Sequence, residues 1–150
     1  MHRREAFVAK VQKTITIAAP VEKVFAFMLE PSNLPEVWPS MVEVKDVQRQ
    51  PNGGYNFSWV YKMAGMRIDG ASETTEHVLN KRVVTRSTKG IQSRFVWTYQ
   101  PEGAGTRVTV EVEYTVPVPV LGKIAEAVIV KQNEHEAEIL LANLKARMEG

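Results

Sequence analysis

A carboxylate on the core-facing side of a strand is costly to desolvate unless something pairs with it, and Glu76 stands in such a register. In "MRIDGASETTEHV" side chains alternate across the strand. Met66, Ile68, Ser72, Thr74, Glu76 and Val78 therefore share one face, and Arg67, Asp69, Glu73 and His77 the other. The first set turns inward. Glu76 is thus a candidate general base or ligand contact, with Tyr55, Tyr61 or Tyr99 as acid partner, whereas a bulge in the strand would turn it out to solvent. A second polar residue in an apolar setting is Asn133, between Val130 and Ala137 on the stripe of the last helical segment. A buried amide needs a partner, and a ligand, a water or an inward hydroxyl such as that of Thr74 would serve.

Other chemistry is weaker. His135 in "NEHEAE" is flanked by Glu134, Glu136 and Glu138, but Glu136 falls on another helical face and no second histidine completes a ligand set. The segment reads as a solvated charged face without a metal. His2 and His77 lack partners in sequence. There is no Ser-His-Asp order, phosphate loop or dinucleotide fingerprint, so no cofactor is implied, and the absence of cysteine removes thiolate nucleophiles.

The elements that must position these residues follow from hydrophobic period. "FVAKVQKTITIAA" alternates as a strand and leads into "APVEKVFAFMLEPSNLPEVWPSM", where Val21, Val24, Phe25 and Met28 form a helical stripe. Pro31 ends that helix, "SNLPEVW" holds one more short turn, and Pro39 stops it. From residue 41 to 116 the period is two, with turns at "PNGG", "AG", "LNK", Gly90 and "PEGAG", which predicts six further strands and, with the first, a seven-stranded antiparallel meander. The rest predicts one helix from about Leu121 to Met148, striped by Val130, Ala137, Leu141, Leu144 and Met148. Leu121, Ile124, Val128 and Ile129 point away from that stripe.

Alternation also assigns the strand faces. Tyr55, Phe57, Trp59 and Tyr61 share one face, as do Phe95, Trp97 and Tyr99, and Val108, Val110, Val112 and Tyr114. Val83, Thr85 and Ser87 face in if Arg82 and Arg86 face out. An interior of aromatics with a few hydroxyls suits an amphipathic guest, and it equally describes a filled core whose phenols and indoles pair with Ser72, Thr74 or Thr85.

Composition bounds the function classes. The 150 residues, 44% hydrophobic, predict one domain over residues 1–150, and 19 Lys plus Arg against 17 Asp plus Glu leave a charge of +2 without a basic block, against a nucleic-acid partner. No apolar run approaches membrane-spanning length and the first residues lack a signal core, which predicts a cytoplasmic protein.

A curved antiparallel sheet around a long helix is the economical packing of this order. With "TITIAAPVEKVFAFMLEPSNLPEVWP", "SETTEHVLNKRVVTRS", "GAGTRVTVEVEY" and "LGKIAEAVIVKQNEHEAEILLANLKARMEG" in sequence, the chain resembles the polyketide cyclase/dehydrase-like branch of the SRPBCC superfamily, the START-like or helix-grip domains. The resemblance implies an α+β helix-grip fold in which two short helices after the first strand close a cavity between sheet and helix, with Trp38 as packing anchor of the corner. It implies a ligand of lipid, polyketide or quinone type, and a monomer or weak homodimer. The candidate lining is Tyr55, Phe57, Trp59, Tyr61, Ser72, Thr74, Glu76, Thr85, Phe95, Trp97, Tyr99, Tyr114, Val130, Asn133 and Ala137. Binding or carriage is the first reading. A cofactor-independent cyclase or dehydratase using the same pocket is the alternative.

Overall fold

The computed structural model describes residues 7–121 and 125–150, without the side chain of residue 121. The inferred orientations of Leu121 and Ile124, and His2, lie outside the described residues. Strand β1 (Phe7–Ile17) leads into helix α1 (Val21–Leu29), a 3-10 turn (Pro31–Asn33) and helix α2 (Leu34–Val37). Strands β2 (Met41–Arg49), β3 (Tyr55–Met63), β4 (Met66–Val78), β5 (Arg82–Lys89), β6 (Ser93–Glu102) and β7 (Gly105–Val116) follow, then helices α3 (Val118–Leu121) and α4 (Glu126–Glu149).

The sheet is antiparallel throughout, in the order β1-β7-β6-β5-β4-β3-β2. This corrects the continuous meander: only β2 to β7 run as one, and β1 docks on β7 with Phe7 opposite Val116. Consecutive strands β1 and β2 thus occupy opposite edges of the sheet, and residues 18–40 must carry the chain across its face. A straight helix cannot make that turn. Pro20 starts α1, Pro31 opens the 3-10 turn and Pro35 lies at the start of α2, where missing N–H groups cost least, and Trp38 ends α2 in an extended conformation. Prolines thus sit at the joints of this stretch.

The last helix also departs from expectation. It begins at Glu126 instead of about Leu121, and Val118–Leu121 is a separate turn of helix. Ile129, read as pointing away from the sheet, is buried with Leu140, Leu141, Leu144 and Met148, while Val128 is exposed. At 100° per residue Ile129 lies on the same side as Leu140 and Leu144, so the stripe is broader than the one traced from Val130. Among the described residues no helix is long and apolar enough to cross a membrane.

One glycine shapes the interior. A Cβ on Gly70 in β4 would stand 2.2 Å from the Trp59 ring and 2.7 Å from the Lys89 carbonyl. The bare backbone there lets the Trp59 indole lie across the neighbouring strand.

Candidate functional site

The inner face of β3, β4, β5, β6 and β7, the first helices and α4 line a partly open cavity of about 130 Å³. That is close to the ~150 Å³ apolar cavity that holds benzene and below the roughly 300–1,000 Å³ of drug-sized sites. The space among these side chains holds about one aromatic ring, and a larger guest extends through the open side of the cavity or displaces lining side chains.

Strand alternation delivers most of the wall. Tyr55, Phe57, Trp59 and Tyr61 from β3, Ser72 and Thr74 from β4, Thr85 from β5, Phe95, Trp97 and Tyr99 from β6, Tyr114 from β7, and Asn133 and Ala137 from α4 all line the cavity. Two of the proposed residues do not. Val130 is partly buried against the core beyond the cavity. Glu76 is turned outward: Thr74 pairs with Thr85 but Glu76 with Val84, so Thr75 is an inserted residue and the faces of β4 exchange beyond it. Glu76 then meets Arg82 at 3.0 Å in an exposed ion pair, and Val78 also becomes exposed. His77, assigned to the outer face, instead packs against the Phe25 ring at 5.6 Å with its Nε2 buried.

Glu136 is the carboxylate that does line the cavity, and assigning it to a solvated face is corrected by the structure. It lies three residues after Asn133 and four before Leu140, a spacing that keeps all three on one helical face and was legible in the sequence. Its Oε1 accepts a hydrogen bond from the Ser40 backbone N–H at 2.9 Å. His135 is exposed, 3.9 Å from Glu138, and among the described residues no group of three His, Asp or Glu side chains is placed to hold a metal.

Polar groups converge around Glu136. Asn133 Nδ2 donates to the Ile129 carbonyl at 2.8 Å and to the Tyr114 hydroxyl oxygen, so the inward hydroxyl that meets the amide is that of Tyr114 and not of Thr74. Burial, and then the negative charge of Glu136, push the Tyr61 phenol up to about 12. Burial, and then Tyr61, push Tyr114 upward, and burial alone raises Tyr99. These phenols are donors at neutral pH, not bases. Trp38, the corner anchor, packs edge-on against Tyr61 at 5.8 Å and Phe95 at 5.2 Å, so it is also a wall of the cavity. Its buried Nε1 lies beside the Tyr61 hydroxyl, close enough to act on that phenol but without a well-aligned hydrogen bond.

The opposite end is closed on itself. Thr74 Oγ1 accepts from the Tyr55 N–H at 3.1 Å and donates to the Tyr55 carbonyl at 3.0 Å. Gln50 and Asn52 cap the Thr74 backbone, and the Trp59 indole donates to Ser72 at 2.9 Å.

A long helix gripped by a seven-stranded antiparallel sheet over an aromatic cavity defines a START-like, helix-grip protein. The chain belongs to the family described as polyketide cyclase / dehydrase and lipid transport, whose model matches residues 8–149. Among solved structures it is similar to a START superfamily protein of Mycobacterium smegmatis, with 18% identity, TM-score 0.79, and 93% of this chain and 97% of that one covered. It is also similar to a protein of Thermus thermophilus, with 25% identity, TM-score 0.71, and coverage of 93% and 96%. The Zhui aromatase/cyclase of Streptomyces sp. R1128 shares 15% identity at a TM-score of 0.72, with coverage of 94% and 96%. No protein of curated function matches the sequence.

Proposed function

We propose that residues 1–150 form one ligand-binding domain that holds or carries a hydrophobic or aromatic small molecule of lipid, polyketide or quinone type. The observation that supports this most is the aromatic-lined cavity of about 130 Å³ with a few polar groups at each end, the usual form of a small-molecule site. The family description, which names both polyketide cyclisation and lipid transport, supports the same guest classes. We place the protein in the cytoplasm as a monomer or weak homodimer without a nucleic-acid partner, in keeping with its small, dispersed net charge.

Native mass spectrometry for a co-purified molecule, with titration by the neutral dye N-phenyl-1-naphthylamine, tests the binding reading. Ala137→Phe fills the cavity from α4 and is expected to weaken the dye at least about tenfold, roughly 1.4 kcal/mol, while circular dichroism stays unchanged. Dye affinity untouched by that substitution would place the dye elsewhere and overturn the reading.

The second reading is a cofactor-independent cyclase or dehydratase, and Glu136 beside the Tyr61 phenol is the observation that favours it. A carboxylate base next to a protonated donor is the minimum such chemistry requires. Turnover of a poly-β-ketone that vanishes in Glu136→Gln with binding retained would move the protein into that class.

A further inference from the structure

The α4 end of the cavity carries information about the guest's own polar group. Glu136 is the one charged side chain among the described residues of the lining, and no lysine or arginine accompanies it. Its carboxylate is held by the Ser40 N–H at 2.9 Å in a partly buried position on the apolar wall, where it meets less water than a surface carboxylate does. An anionic head placed beside it would lose its hydration and gain only repulsion, because an unpaired buried charge is tolerated only when a counter-charge meets it.

The neighbouring groups ask for the opposite chemistry. Trp38 Nε1 is a buried donor that has only a poorly aligned contact with the Tyr61 hydroxyl and no well-formed hydrogen bond. The Tyr114 hydroxyl already accepts from Asn133, which leaves its own proton to be given to something else, and the second Asn133 bond to the Ile129 carbonyl fixes that amide in place. A neutral oxygen with free lone pairs satisfies both donors and tolerates the carboxylate. We propose that this end of the cavity selects guests whose polar group is a neutral carbonyl or hydroxyl oxygen, received by Trp38 and Tyr114, and that Glu136 rejects carboxylate and phosphate heads. The inference rests on the cavity being a binding site and adds to it the class of guest: ketones, enols, phenols or quinones in place of free fatty acids or phospholipids. Burial holds the Tyr61 and Tyr114 phenols protonated, with the Glu136 charge adding to this at Tyr61, and keeps this end a donor surface at neutral pH.

Three naphthalenes of matched shape test it by calorimetric titration at pH 8: 2-acetylnaphthalene, 2-naphthoate and 2-ethylnaphthalene. The ketone is expected to bind more tightly than the hydrocarbon, and the carboxylate at least about tenfold more weakly than the ketone. Glu136→Gln keeps an acceptor for the Ser40 N–H while removing the charge. It should raise 2-naphthoate affinity about tenfold and so narrow the gap between carboxylate and ketone. Trp38→Phe, which retains a ring against Phe95, should bring the ketone toward the hydrocarbon's affinity. Carboxylate binding equal to ketone binding in the parent, or a ratio unmoved by Glu136→Gln, overturns the head-group inference alone. Failure of both 2-ethylnaphthalene and the ketone to bind overturns the cavity reading and this inference with it.

Discussion

The two ends of the cavity contain similar residues and differ in how those residues are partnered. At the β3–β4 end, the Thr74 hydroxyl, the Trp59 indole and the turn residues Gln50 and Asn52 meet one another or the backbone. At the α4 end, Trp38 has no well-formed hydrogen bond and Tyr114 has a proton to spare. Polar groups paired inside the protein specify the fold, whereas polar groups left short of a partner in an otherwise apolar wall are available to a guest. Tyrosine and tryptophan counts do not distinguish these roles, and only the partner of each polar atom does.

Both ends depend on α4 lying across the sheet, so loss of its packing sets the largest effect. Leu141 is 2% exposed, and Leu141→Ala should lower unfolding free energy in urea by about 2–5 kcal/mol. A loss near that of an exposed Glu138→Ala would mean that α4 packs on another face. Thr74→Val comes next, because it leaves the Tyr55 N–H without its acceptor in nearly the same volume; about 1–3 kcal/mol is expected from the same melts. A negligible cost would erase the contrast between the closed and open ends.

Alkaline titration examines the open end directly. Tyr61 is raised above its ordinary value, so its contribution to stability is complete below about pH 10 and declines as pH rises toward about 12. Absorbance at 295 nm should show Tyr61, Tyr99 and Tyr114 ionising only with this loss of stability. Tyrosinate signal from Tyr61 near pH 10 in the folded protein, assigned with Tyr61→Phe, would mean that the open end is wet. The smallest effect belongs to Glu76→Gln. Its partner Arg82 is solvent-exposed, and a change within about 0.5 kcal/mol in thermal melts is expected. A larger loss would make the outer ion pair part of the fold's foundation.

Local period made much of this molecule legible from its residues. The aromatic faces of β3 and β6 follow from alternation, which depends only on the pleat, and the buried Leu141 and Leu144 follow from helical spacing. Glu136 was readable by the same spacing from Asn133, but the charged neighbours of "NEHEAE" pointed to solvent. Tertiary structure alone decided the rest. One inserted residue, Thr75, exchanged Glu76 for His77, because a register shift reverses every side chain beyond it and no residue type announces it. The docking of β1 on β7 sent residues 18–40 across the sheet and brought Trp38 over Phe95 and Tyr61. Whether its indole N–H finds an acceptor depends on atoms from β3, β6 and α2 meeting in space, which spacing along one element does not encode.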